Sequence, residues 1–376
     1  MQPWETITQP NTRDQALDGI RGAAILLVML GHCIVLNGLD QTDPILYDII
    51  RSVQMPLFIL ISGILAAGGR LRLTKLGKRA QSYLLPFFSW FAVSYFWARI
   101  RDSIRGQKIT LSAADFFTEL KELLFQTDRG LWFFMTLFVI TLLMSVAAEL
   151  ARKFCKESIA ATVLIAGALY GLIFLQARSG NTFLSPALTL QYMPFYVLGY
   201  LRGSVMQPAK QSDAAEGGKG IYQKMEKIEP LLTAVCMLLF LALVIRYPLS
   251  QPAASAKELF LQMLASLIGT VGIFGLLYRG RISQRMGKVL GLLAIPGVYT
   301  SEIYVLHFRF ARLLRIGERA DTIWSLQGML WLLFAFLLMS VLTAAFILIL
   351  NRIPLCRYLL FGKRKEQGDR KTASKP

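Results

Sequence analysis

Residues 18–36 read DGIRGAAILLVMLGHCIVL, an apolar run that holds one arginine, Arg21, and one histidine, His32. Either side chain is costly in hydrocarbon, and such residues point by default to function. Eleven helical steps turn about 1,100°, roughly 20° past three full turns, so the two side chains share one face. Along that face they stand about 16 Å apart, roughly half the thickness of a bilayer core. A cation near one surface and a titratable ring near the midplane, on a common stripe, mark a polar path through the protein. The function is to be sought there.

The rest of the chain is built in the same way. Of its 376 residues 55% are apolar and 17% charged, against roughly 45–50% and 25% in soluble domains. Mean hydropathy is positive, at +0.49. Runs that reach or approach about 18 apolar residues recur, so the expected fold is all-α, a polytopic membrane helix bundle. Ten spans are predicted, at 20–38, 49–68, 81–99, 130–149, 158–176, 183–202, 230–247, 258–278, 289–308 and 324–350. Residues 1–18 are polar and carry Glu5, Asp14 and Asp18, so no cleavable signal is read there. The segment 109–126 (ITLSAADFFTELKELLFQ) is too charged to span, yet its apolar residues recur at helical spacing. An amphipathic helix at the interface or capping the bundle is expected.

With the N-terminus in the cytoplasm, 27 lysines and arginines fall on the cytoplasmic side and 14 on the other. That bias sets the orientation of multi-pass proteins, and it makes both termini cytoplasmic in an inner cell membrane. The cluster Arg309, Arg312, Arg315 and Arg319 is the main exception. The chain then divides into a cytoplasmic N-terminal segment (1–19), a transmembrane domain (20–350) and a basic cytoplasmic tail (351–376). A net charge of +18 would point to nucleic acid in a soluble chain; here the topology accounts for it, and membrane lipids rather than nucleic acid are the expected surroundings. Four cysteines without CxxC spacing read as free, packed thiols, and the two histidines lie far apart in sequence, so no metal is expected.

Several polar residues recur at telling spacings. Asp18 stands three residues before Arg21, where it can orient the guanidinium. Gly31, beside His32, leaves room for a neighbour or ligand. The second span reads QMPLFILISG, with Pro56 breaking the ladder and Ser62-Gly63 forming a polar notch. Arg70, Arg72, Lys75, Lys78 and Arg79 crowd one cytoplasmic loop that leads into Tyr83 and Pro86, a cluster able to grip phosphates. The fourth span opens GLWFFMTLF with Trp132 at its boundary. In the sixth, Gln191-Tyr192-Met193-Pro194 puts an amide and a phenol beside a helix break. The ninth reads YTSEIYVLHF, where Tyr299 and Glu302, then Tyr304 and His307, are each three apart. Anchoring and packing also account for several of these, Arg21 and Trp132 as interface anchors and the Pro56 notch as helix packing.

Taken together, these motifs resemble the integral-membrane acyltransferase family 3, particularly its fucose 4-O-acetylase-like members. The resemblance rests on Arg21-x10-His32 with its Asp18-x-x-Arg21-Gly22 lead-in, "MPLFILISG", the basic loop running into "YLLPFF", "LWFF" and "SEIYVLHF", in the family's order over about residues 13–310. It implies an acyl-CoA donor on the cytoplasmic side, acetyl-CoA or another short acyl-CoA, and the hydroxyl of a glycan or lipid-linked saccharide as acceptor. It also implies surface or exported polysaccharide as the product, and association with polysaccharide assembly machinery. The family's conserved pair maps onto Arg21 and His32, its donor-recognising loop onto Arg70, Arg72 and Arg79 with Lys75 and Lys78 among them, and its late polar helix onto Glu302 and His307. Trp132, Tyr299 and Tyr304 complete the expected substrate side. Many relatives carry a fused extracytoplasmic domain that is not found in this chain, so the bundle itself is expected to acylate the acceptor.

On this reading His32 is the general base, a task suited to a ring that titrates near neutrality. Arg21 holds the donor or steadies the developing oxyanion. A transporter or flippase for a saccharide or charged molecule is the competing reading, since it too shows proline-broken helices and midplane polar groups. It predicts inverted repeats, and spans 1–5 and 6–10 share no motif order. An acyl-histidine relay is a second chemical route that the residues leave open.

Overall fold

A computed structural model describes residues 14–42, 44–67, 71–106, 112–126, 131–206, 216–249, 253, 255–313 and 322–363. Among them there is no strand. The helices in chain order are α1 (Gln15–Leu36), α2 (Leu39–Thr42), α3 (Pro44–Ala66), α4 (Leu76–Ile104), α5 (Ala113–Phe125), α6 (Trp132–Phe154) and α7 (Ile159–Arg178). They continue with α8 (Pro186–Met206), α9 (Glu216–Arg246), α10 (Ala256–Gly280), α11 (Gln284–Val298), α12 (Thr300–Leu313), α13 (Leu326–Arg352) and α14 (Pro354–Phe361). Seven of them, α1, α3, α6, α7, α9, α10 and α13, are long and apolar enough to cross a membrane.

The other three expected spans are helical but differ in kind. α4 and α8 have the length, yet α4 carries Lys78, Arg79, Arg99 and Arg101, and α8 carries Gln191, Pro194 and Arg202. The ninth span is not one straight helix: α11 and α12 meet at a bend of 74°. The cause is local. Pro296 lacks the N–H that would continue the ladder, the Tyr299 N–H bonds back to the Pro296 carbonyl, and Thr300 Oγ1 donates to the Gly297 carbonyl at 2.7 Å.

The chain folds into two compact units. The first comprises residues 1–70 and 192–345. α1 is its centre, packed against α3, α11 and α12. Its first turn is held by Asp14, whose carboxylate accepts from the N–H groups of Ala16 (3.1 Å) and Leu17 (3.3 Å). Close approach of α1 to α11 depends on glycine. Gly19 and Gly22 face the carbonyls of Leu290 and Leu293, Gly297 faces that of Asp18, and none of the three has space for a Cβ. The same device joins α3 to α8, through Gly63, Gly199 and Gly203, and α10 to α9, where Gly269, Gly272 and Gly275 receive Phe240, Met237 and Thr233. Small residues of this kind are what let helix backbones pack in a bilayer.

The second unit comprises residues 71–191 and 346–376. A 3-10 turn at Leu73–Lys75 leads into α4. α5 docks along α4: Phe116 packs with Phe91, Tyr95 and Phe96, and Glu119 pairs with Arg99, while Phe117 stays 65% exposed. The segment therefore has two faces, as its spacing predicts. α14 lies on the start of α4, where Trp90 Nε1 donates to the Leu360 carbonyl (2.9 Å) and Gln81 Nε2 to that of Gly362 (3.3 Å). All four cysteines are free thiols, as expected, but only Cys33 and Cys236 are packed: Cys356 is half-buried and Cys155 is exposed.

Candidate active site

His32 lies three turns along α1 from Arg21, and the fold gives it a counterpart. α12 presents His307 and Phe308 to it, with ring centroids 5.2 Å and 4.9 Å from the His32 ring. Two histidines 275 positions apart in sequence are thus neighbours. The bend after α11 is what allows this: α12 takes its own direction and lays its polar stripe against α1. His307 is 1% exposed, and its Nδ1–H donates to the Ile303 carbonyl at 2.7 Å. As a neutral ring it therefore turns an unprotonated Nε2 into the interior, and that nitrogen has no hydrogen-bond partner among the described residues. Tyr304 packs next to His307, with centroids 6.2 Å apart.

Arg21 closes the other end of the stripe. Its guanidinium stands 3.6 Å from the Asp18 carboxylate, with the arginine side chain 25% exposed and the aspartate nearly buried. The i, i+3 pairing read from the sequence is present. Glu302 is completely buried in the first turn of α12. It stands five positions before His307, about 140° round the helix from it. Tyr299 caps α11 at the bend and is 39% exposed.

The expected donor-side residues lie in the second unit, apart from Arg70, which falls outside the described residues. Arg72, Lys75 and Lys78 are exposed and Arg79 is half-buried. No acidic residue occurs between Leu71 and Arg101, nor in α14. Trp132 opens α6 and meets Phe133 edge to face.

Two contacts were not read from the sequence. Phe308 follows His307 directly and looks like ordinary core. Gln54 of α3 begins the quoted QMPLFILISG motif, where the proline drew the attention. It fills the room beside Gly31: a Cβ built on that glycine would lie 3.2 Å from Gln54 Oε1 and 3.1 Å from the Ile50 side chain. The signal was an uncharged amide inside an apolar helix.

Residues 14–350 match the family described as "Acyltransferase domain". The chain is 29% identical over 198 residues to the nodulation protein NolL of Sinorhizobium fredii, covering 51% of this chain and 49% of that protein. It is also 29% identical over 199 residues to NolL of Mesorhizobium japonicum, covering 51% and 48%. The chain thus aligns with about half the length of these curated relatives. No solved structure matches it. A match over nearly all of the described helices, with the paired histidines inside it, places this multi-pass membrane chain in the acyltransferase family.

Proposed function

We propose that this chain is a membrane O-acyltransferase that moves an acyl group, acetyl first among them, from acyl-CoA to a sugar hydroxyl of a surface or exported polysaccharide. The observation that carries this is the convergence of His32 and His307 in the interior of the first unit, on the stripe that Arg21 closes. Family membership supplies the reaction type.

The steps follow from the residues. His32 accepts the proton of the acceptor hydroxyl as that oxygen attacks the thioester carbonyl. The tetrahedral intermediate then expels the CoA thiolate, which takes the proton back from the His32 imidazolium, so charge and atoms balance. A positioned base of this kind contributes about 10²–10⁴-fold. His307, buried and aligned by Ile303, packs the His32 ring into one orientation. Arg21, oriented by Asp18, binds the donor or the oxyanion. The acid-free segment Arg72–Arg79 suits the nucleotide phosphates of the donor, with Arg70 as its neighbour in sequence. Tyr299, Tyr304 and Trp132 serve the substrate side, and Glu302 supports the catalytic helix from within. The reaction belongs to an inner cell membrane, with glycan or lipid-linked saccharide as acceptor and polysaccharide assembly proteins as partners.

The test uses membranes supplied with labelled acetyl-CoA and the producing cell's own glycan. His32→Ala is expected to lower transfer at least about a hundredfold at unchanged protein level. Wild-type turnover in that variant removes the base role. Saccharide movement without any thioester turnover would mark a transporter instead.

A further inference from the structure

Two buried acceptors beside this part of α1 have no hydrogen-bond donor among the described residues. On one flank His307 commits its Nδ1–H to Ile303 and leaves Nε2 as an acceptor without a donor. On the other flank, Gln54 Oε1 lies against Gly31, buried and without a hydrogen-bond donor among the described residues. His32 itself meets His307 and Phe308 through its ring and, when neutral, offers one lone pair beside its one N–H. Positions 31 and 32 project about 100° apart on α1, so the Gln54 amide of α3 and the His307 ring of α12 reach the same turn of α1 at adjacent positions.

Leaving a buried acceptor unmatched is unfavourable, and such groups in native proteins call for an explanation. A thioester carbonyl cannot satisfy them, because it too is an acceptor; the amide N–H groups of a pantetheine arm could, and a shifted acetyl-CoA KM is what would report that use. A ligand bearing several hydroxyl groups can. We infer that Gln54 is an acceptor-binding residue, whose amide oxygen takes a hydrogen bond from a second hydroxyl of a polyhydroxylated substrate while His32 takes the proton of the first. The inference rests on the transferase reading above and adds to it how the bundle separates a sugar from a simple alcohol. Gln54 touches the substrate and leaves the donor alone.

The experiment follows label from acetyl-CoA in detergent-solubilised protein, offered methyl glycosides, trans-cyclohexane-1,2-diol or cyclohexanol. Wild type is expected to prefer the diol over cyclohexanol, and Gln54→Leu to raise the KM for diol and glycosides about tenfold. The same variant keeps its KM for acetyl-CoA and its use of cyclohexanol. Gln54→Glu, which retains the acceptor oxygen, restores part of the diol preference. Because leucine removes an unmatched buried polar group, Gln54→Leu should also unfold at the same temperature as wild type or higher, which separates lost binding from lost folding. Equal losses with diol and cyclohexanol, or a shift in the acetyl-CoA KM instead, overturn the inference. So does a protein that turns over acetyl-CoA while no polyol accepts the acyl group or slows thioester hydrolysis; the transferase reading survives that outcome. Absence of any acetyl-CoA turnover in wild type sinks both.

Discussion

At Arg21 the partner decides the role. The Asp18 carboxylate, 3.6 Å away, pairs with the guanidinium, and a lysine in its place would lack the planar fork. Arg21→Ala is therefore expected to raise the KM for acyl-CoA about ten- to hundredfold, the range of a lost charge-assisted bond, while the protein still assembles. Donor titrations in membranes check it; an unchanged KM assigns Arg21 to anchoring. Gly31→Val belongs to the same scale, since its side chain would displace Ile50 and Gln54; acceptor use should fall with donor use intact. Arg21 and His32 were legible in the sequence because charged and titratable letters are rare in an apolar run. Gln54 was not, because an amide in a helix becomes informative only once its neighbour across the interface is known.

Among the elements, glycine carries the packing. Gly22 and Gly297 meet opposing backbone, whereas Gly167 of α7 meets nothing within 4 Å. Gly22→Ala or Gly297→Ala should cost about 1–3 kcal/mol or more through overpacking, and Gly167→Ala should gain roughly 0.5–1 kcal/mol from helix propensity alone. Thermal unfolding in detergent compares them; equal effects at the three positions would refute the packing assignment. In sequence these glycines are the same letter, so no periodicity distinguishes a contact from open lipid-facing helix. The apolar runs of α1, α3, α6 and α13 were legible because hydrophobic length alone specifies them. The bend between α11 and α12 was not, because the run stays apolar through Pro296 while the ladder stops there.

For the whole molecule, sidedness is the open quantity that native chemistry can read. Cys155 is an exposed thiol in the turn between α6 and α7, and Ser179 is exposed after α7. On the lysine and arginine bias the first is expected in the cytoplasm and the second outside. An impermeant maleimide should label Cys155 only in inverted vesicles, and a Ser179→Cys variant lacking Cys155 and Cys356 only in intact cells; the reverse pattern would invert the topology and move the proposed donor site with it.

Gly362 adopts φ +66° and lies against the Gln81 carbonyl and Ser82, where a Cβ would not fit. Lys363 consequently stands beside the first turns of α4, which carry Lys78 and Arg79. A tag fused directly after Lys363 would start against that cationic surface: an acidic epitope there would mask it, and a polyhistidine tag on an immobilised support would hold it against the resin. Kinetic constants for acyl-CoA are thus best measured on protein captured by its other end.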